Sequence, residues 1–275
     1  MKQIKNGIYS GSGNRKSVFD LSTPTQWNNK LIVFMHGYMG HKDWGCWNLV
    51  EDYFKNYSYG FLKYNVSHNG GTIDKPIDFN DLDAFSQNNY LKEIEDFEAI
   101  ISLIQAEFKV LPEIYIIGHS RGGGIALLQA ENKYVAKITS WAGIASIAER
   151  MPTGTTLQKW KNDGYYYRKN GRTHQEMPHA YSQYESFIKN QKRLSIKSYC
   201  EKSNTPTLII HGDKDLSVKI DEGQKVAKWL NTNIIQIKGA QHTFGSSHPW
   251  ESNILPKHLL EVCKTTLDFF DSKKE

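Results

Sequence analysis

Cysteine is scarce in this chain: Cys46, Cys200 and Cys263 are three widely separated residues with no C-x-x-C pair among them. That excludes a disulfide framework and a zinc-binding scaffold, and leaves reduced structural thiols as the expectation. Long apolar runs are missing too. No window approaches the roughly 20 residues that a membrane span needs, and the opening MKQIKNGIYSGSGNRKS has no apolar core of the signal-peptide kind. The expectation is a soluble, cytoplasmic protein without a membrane partner. Charge of one sign is not concentrated either. The net charge of +5 arises from scattered Lys, Arg, Asp and Glu, with the densest basic stretch at Lys189, Lys192, Arg193 and Lys197, so nucleic acid is not an expected partner. Internal repeats and low-complexity tracts are absent.

What is present is an alternation of strand and helix patterns over 275 residues, enough for one large α/β domain or a core plus an insertion. Ile4 to Ser10 and Ser17 to Leu21 read as strands around the turn composition Gly11-Ser12-Gly13-Asn14, an antiparallel hairpin. Leu31 to Met35 is a continuous apolar run, the look of a strand buried on both faces of a mostly parallel sheet. Trp44 to Tyr57 reads as a helix and Phe61 to Val66 as a strand. Ser67 to Asn89 is polar and turn-rich, a long loop, and Tyr90 to Phe108 carries a helical apolar stripe. Val135 to Trp141, Thr207 to Ile210 and Asn233 to Lys238 supply further strands, Val218 to Leu230 and Leu255 to Phe270 further helices.

The alternation breaks between residues 143 and 203, which read as a cap inserted into a core made of 1–142 and 204–275. Within it, Asn170-Gly171 lies between strand-forming residues, a hairpin signal, and Pro178 to Leu194 looks helical. Trp160, Tyr166 and Tyr181 of this insertion are candidates to line a substrate pocket, although aromatics there serve equally to pack the insertion onto the core.

The most informative stretch is Glu113 to Glu131, EIYIIGHSRGGGIALLQAE. A β-branched run gives way to a helical segment through one corner, Gly118-His119-Ser120-Arg121-Gly122, the pattern G-x-S-x-G. Swinging from strand straight into helix strains the serine backbone. Side chains at 118 or 122 would collide across the turn, so both positions call for glycine. The corner lifts the Ser120 hydroxyl clear of the sheet, but a serine hydroxyl is a poor nucleophile until a base takes its proton and an acid orients that base. Strand order supplies both. His242 sits just past the last strand, whereas His248 and His258 lie farther on and His119 points the wrong way around the corner. Asp215 follows the strand Thr207 to Ile210 and is preferred over Asp213, which can tighten the turn itself, and over Asp221. After Leu31 to Met35, His36-Gly37-Tyr38-Met39-Gly40 brings an unhindered backbone to the carboxyl end of the sheet, where the N–H of Tyr38, or failing that Met39, can face a developing oxyanion. Met39 and His119 are also candidate substrate contacts.

In this order the motifs resemble the α/β-hydrolase fold superfamily and its serine hydrolases over nearly the whole chain: strand plus HGYMG, strand plus GHSRGG, strand plus HGDKD, strand plus GAQHTF. The general look is similar to small esterases, dienelactone hydrolases and the catalytic domains of prolyl-oligopeptidase-type peptidases. That resemblance implies a three-layer α/β fold with a mostly parallel sheet, Ser120 as nucleophile, Asp215 as acid, His242 as base, and the N–H groups of Tyr38 and Arg121 as oxyanion hole. It implies cleavage of a small or medium carboxylic ester without metal or organic cofactor. Aminopeptidase-like or thioesterase activity with the same triad is the enzymatic alternative, and a non-catalytic ligand-binding protein the alternative of another class. Arg121 departs from the apolar residue common after the serine in lipases, and the peptidases' propeller is absent. The partner expected is a small ester or acyl substrate, with homodimerisation left open.

Overall fold

The computed structural model describes residues 1–272. Strands β1 (Lys2–Ser10) and β2 (Lys16–Thr23) form the opening antiparallel hairpin, followed by β3 (Lys30–Met35), helix α1 (Trp47–Asn56) and β4 (Gly60–Tyr64). Then come α2 (Leu82–Ser86), α3 (Tyr90–Glu107), β5 (Glu113–His119), α4 (Arg121–Leu127) and β6 (Val135–Trp141). The segment after β6 holds α5 (Gly154–Asp163), β7 (Tyr165–Lys169), β8 (Glu176–Ala180), α6 (Ser182–Lys189) and α7 (Ile196–Lys202). The chain closes with β9 (Thr207–Gly212), α8 (Ile220–Trp229), β10 (Ile234–Ile237) and α9 (Lys257–Asp271).

Eight strands make one sheet in the order β1-β2-β4-β3-β5-β6-β9-β10, parallel from β4 to β10 and antiparallel at the β1, β2 edge. Period-two alternation in β3 shows why this is a three-layer fold. Leu31, Val33 and Met35 face a core shared with α3, α4 and α8, while Ile32 and Phe34 face another shared with α1 and α9. Both faces are dry, so each such side chain contributes roughly 1.5–3 kcal/mol of burial. The fold is the three-layer α/β arrangement expected from the sequence.

Three stretches differ from the sequence expectation. The 67–89 loop contains α2, whose N-cap Asp81 accepts from the Ala84 N–H; five residues are too few to show a period. The 165–180 hairpin forms, but its turn spans six residues rather than two. Asn170 is buried, and its side-chain oxygen accepts from the N–H groups of Arg172 and Thr173 at 2.9 and 3.2 Å, which holds the wider loop. Pro178 opens no helix; it lies in β8 opposite Tyr167, and α6 starts only at Ser182. A two-stranded ribbon leaves one edge of each strand without a ladder partner, so a residue lacking an N–H is accommodated there. Helix α7 packs on α4 and α8, with Ile196 and Cys200 in the core.

The antiparallel edge is fastened by a buried ionic cluster. Lys42 Nζ lies 2.9 Å from Asp20 and 2.5 Å from Asp43, and Lys63 Nζ lies 2.8 Å from Asp43 and 3.2 Å from Glu51. Both lysine side chains are fully buried. Burial would raise the Asp43 pKa, but the two lysines hold it well below the usual carboxylate range.

At the corner after β5, Ser120 has φ 58° and ψ −118°, a left-handed value rare for a residue with a Cβ. The two glycines explain how the chain accommodates it. A Cβ on Gly118 would stand 2.3 Å from the Gly122 carbonyl oxygen, and one on Gly122 would stand 2.4 Å from that of Met35. Gly122→Ala should therefore destabilise the protein by about 3 kcal/mol, since backbone cannot step aside as a side chain can. Gly171→Ala, where no atom lies within 4 Å, should change stability by less than about 0.5 kcal/mol. Urea unfolding of both variants checks the contrast.

Candidate active site

The strand ends bring three side chains together at the carboxyl edge of the sheet. His242 Nε2 lies 2.9 Å from Ser120 Oγ, and His242 Nδ1 lies 2.7 Å from Asp215 Oδ2. Asp215 is locked in place, because Oδ1 accepts from the N–H groups of Ser217 and Val218 at 2.8 and 2.9 Å. His211, buried in β9, stands 3.4 Å from the same carboxylate while its Nε2–H donates to the Val218 carbonyl. Burial alone would raise the Asp215 pKa; the hydrogen bonds from His211 and His242 overcome this and keep it ionised far below the usual carboxylate range. A permanently anionic partner at Nδ1 fixes the tautomer, so Nε2 is left with a lone pair facing the serine hydroxyl. Asp213, the rival acid, instead accepts from the Gly239 N–H at 2.6 Å.

Ser120 Oγ opens into a cavity of about 350 Å³ whose wall includes Tyr38, Tyr90, Trp160, Tyr166 and His242. Of the candidate substrate contacts, Trp160 and Tyr166 are in that wall and Met39, His119 and Tyr181 are not. Met39 packs against Phe79, Phe85 and Met177. Tyr181 packs edge-on to Trp160, with ring centroids 5.6 Å apart. His119 is buried beneath the site, and its Nε2–H donates to the His242 carbonyl at 2.9 Å. Burial, aided by the neighbouring His242, pushes the His119 pKa down to about 3, so it braces the His242 loop as a neutral donor.

Residues without a sequence signal complete the wall. Arg150, Arg168, His179 and Gln183 line it from the segment after β6. The Tyr38 hydroxyl donates to His179 Nε2 at 2.7 Å, His179 stacks on Tyr166 at 4.7 Å, and Trp160 Nε1–H donates to the His179 carbonyl at 2.8 Å. This chain of contacts ties the loop after β3 to the β7, β8 hairpin across the serine. Arg121 turns away from solvent onto the Tyr90 ring, 3.9 Å from its centroid, with Nε 2.7 Å from Glu93 Oε1. Burial pushes Glu93 up despite the guanidinium beside it.

A family model, BD-FAE, matches residues 81–230, more than half of the chain. This chain belongs to the BD-FAE family. Membership agrees with the resemblance to α/β-hydrolase-fold serine hydrolases read from the motifs. The chain is 30% identical over 119 positions to the monoacylglycerol lipase of Mycolicibacterium smegmatis, covering 42% of this chain and 38% of that protein. The chain thus spans well under half the length of that curated relative. Est1E from Butyrivibrio proteoclasticus, solved with ferulic acid bound, superposes with a TM-score of 0.71 at 17% identity, covering 96% of this chain and 98% of that one. A puromycin-hydrolyzing peptidase of Mycobacterium tuberculosis gives 0.64 at 15% identity, over 97% of this chain and 38% of that one. At such identities the two structures speak for the shared fold alone.

Burial lowers the pKa of His36, His68 and His179 to about 4 and of His41 and His119 to about 3. Their unfolded values lie near 6.5, so stability is whole above that pH and is lost as pH falls from 6.5 toward 4, where the unfolded chain takes up protons the folded one refuses. Asp96, raised by burial to about 6, and Glu93, also raised by burial, act in the opposite direction over part of this window. The net expectation is an uptake of roughly three protons on unfolding, about 4 kcal/mol per pH unit at its steepest. Urea unfolding at pH 7, 6 and 5 should show the midpoint falling steeply; a flat series would contradict the neutral, buried state of these rings.

Proposed function

We propose that this protein hydrolyses a carboxylic ester of small or medium size through an acyl-enzyme on Ser120. The observation that carries the reading is the double contact of His242, 2.9 Å to Ser120 Oγ on one side and 2.7 Å to Asp215 on the other. Family membership supports it, as does the name of the curated relative, a monoacylglycerol lipase.

In this mechanism Ser120 Oγ attacks the ester carbonyl carbon as His242 Nε2 takes its proton. The imidazolium, stabilised by Asp215, then returns the proton to the leaving alcohol. Water repeats the sequence on the acyl-enzyme and releases the acid. The N–H groups of Tyr38 and Arg121 are assigned to the tetrahedral oxyanion. Gly37 approaches so closely that a Cβ on it would stand 3.0 Å from Ser120 Cβ, which supports the assignment of the amide that follows it. Arg121 is the first residue of α4, where amides have no intrahelical acceptor. One such donor is worth on the order of 3 kcal/mol of transition-state stabilisation. Residues 143–203 serve as the cap that shapes the acyl or alcohol site. The three buried, unpaired cysteines suit a reducing compartment and hence a cytoplasmic location.

Ser120→Ala and His242→Ala should each lower kcat on 4-nitrophenyl butyrate by about 10⁴- to 10⁶-fold, and Asp215→Asn by about 10⁴-fold through loss of the tautomer. Labelling by a fluorophosphonate should vanish in Ser120→Ala. Unchanged turnover in that variant, or a wild-type protein that resists labelling, would refute the nucleophile.

A further inference from the structure

Three arginines from three separate elements line the cavity above Ser120: Arg121 from the start of α4, Arg150 from the turn after β6, and Arg168 from β7. Among the described residues, no aspartate or glutamate lines this cavity. Two of the arginines have an acid behind them. Arg121 pairs with Glu93, and Arg150 pairs with Glu222. Arg168 makes no ion pair with any described acid, and its guanidinium sits 5.6 Å from the Tyr166 ring centroid. Arg168 therefore brings to the wall a positive charge that no neighbouring acid pairs, while the Asp215 carboxylate lies behind His242. Charges of one sign in a cleft focus the potential toward an oppositely charged ligand.

We propose that the ester cleaved here carries an anionic oxygen group, a carboxylate or a phosphate, at its non-reacting end, held by the Arg168, Arg150 and Arg121 wall. Planar guanidinium forks recognise both groups through paired N–H donors, so the two share one chemistry. The ester function then lies over Ser120 while the charge sits toward the β7 side of the cavity. This inference rests on the hydrolase reading, and goes beyond it in naming the class of substrate.

Matched substrate pairs that differ only in charge test it and separate the sources. On the acyl side, 4-nitrophenyl hydrogen glutarate is compared with 4-nitrophenyl valerate. On the alcohol side, butyryl glycerol 3-phosphate is compared with monobutyrin. In at least one pair kcat/KM for the anionic member should exceed that for the neutral one by about tenfold at low salt, and the ratio should shrink as KCl is added. Arg168→Gln should bring the ratio close to unity and Arg168→Lys should keep part of it; Arg168 is solvent-exposed at the lip, so neither change threatens folding. The same pairs are titrated into Ser120→Ala protein with tryptophan fluorescence as the signal, since Trp160 is in the wall. Tighter binding of an anionic member, lost in the Ser120→Ala, Arg168→Gln double variant, supports the anion site even if no ester is turned over, in which case the hydrolase reading alone falls. Equal or weaker binding and turnover of the anionic member in both pairs, or a preference that survives Arg168→Gln, overturns the proposal.

Discussion

The site depends on the closure of backbone around Ser120. Three pieces of main chain, the end of β3, the corner after β5 and the start of α4, approach so closely that hydrogen is the only substituent that fits at 118 and 122. The serine is held at φ 58° by hydrogen bonds on both sides: its N–H donates to the Trp141 carbonyl at 2.9 Å, and its carbonyl accepts from the Gly124 N–H at 3.2 Å. Strain of this kind, of order 1–3 kcal/mol, persists only where the surroundings over-determine it. Here they do, because the corner sits between two parallel strands whose own positions are set by dry packing on both faces of the sheet.

The second requirement is a base that arrives in one orientation. Asp215 receives two backbone N–H groups on one oxygen and His242 on the other, so the carboxylate is satisfied before any substrate enters. His119 holds the His242 backbone from below. Since burial keeps His119 neutral, it can donate from Nε2 without placing a second positive charge next to an imidazole that becomes cationic in the proposed mechanism. The residue that precedes the proposed nucleophile is in this way coupled to the proposed base.

Much of this was legible in the sequence, for a physical reason. Fold class and strand order follow from hydrophobic period, and the corner announces itself because steric closure permits so few residues there. Ser120, Asp215 and His242 could be assembled because each follows a buried strand, and strand ends share one edge. Met39 and His119 adjoin site residues in the sequence and Tyr181 is an aromatic of the segment after β6, but their actual contacts are set by packing that no local pattern encodes. The reverse holds for Arg150, Arg168 and His179: they come from a turn and a hairpin whose docking over the sheet is a tertiary outcome. Strand β8 went unseen because Pro178 argues against a ladder, and only the two-stranded character of the ribbon removes that objection.

The ionic cluster beneath the antiparallel edge has a bearing on how this sequence can change. Lys42 and Lys63 are wholly enclosed, and each shares Asp43 with the other, so removing any one member strands an opposite charge away from water. A lone substitution there is costly, whereas swapping the entire set for apolar residues of equal volume can be neutral or better. Drift in this corner is thus confined to simultaneous exchanges, and the hairpin that Asp20 belongs to behaves as an inherited block that diverges as a unit or hardly at all.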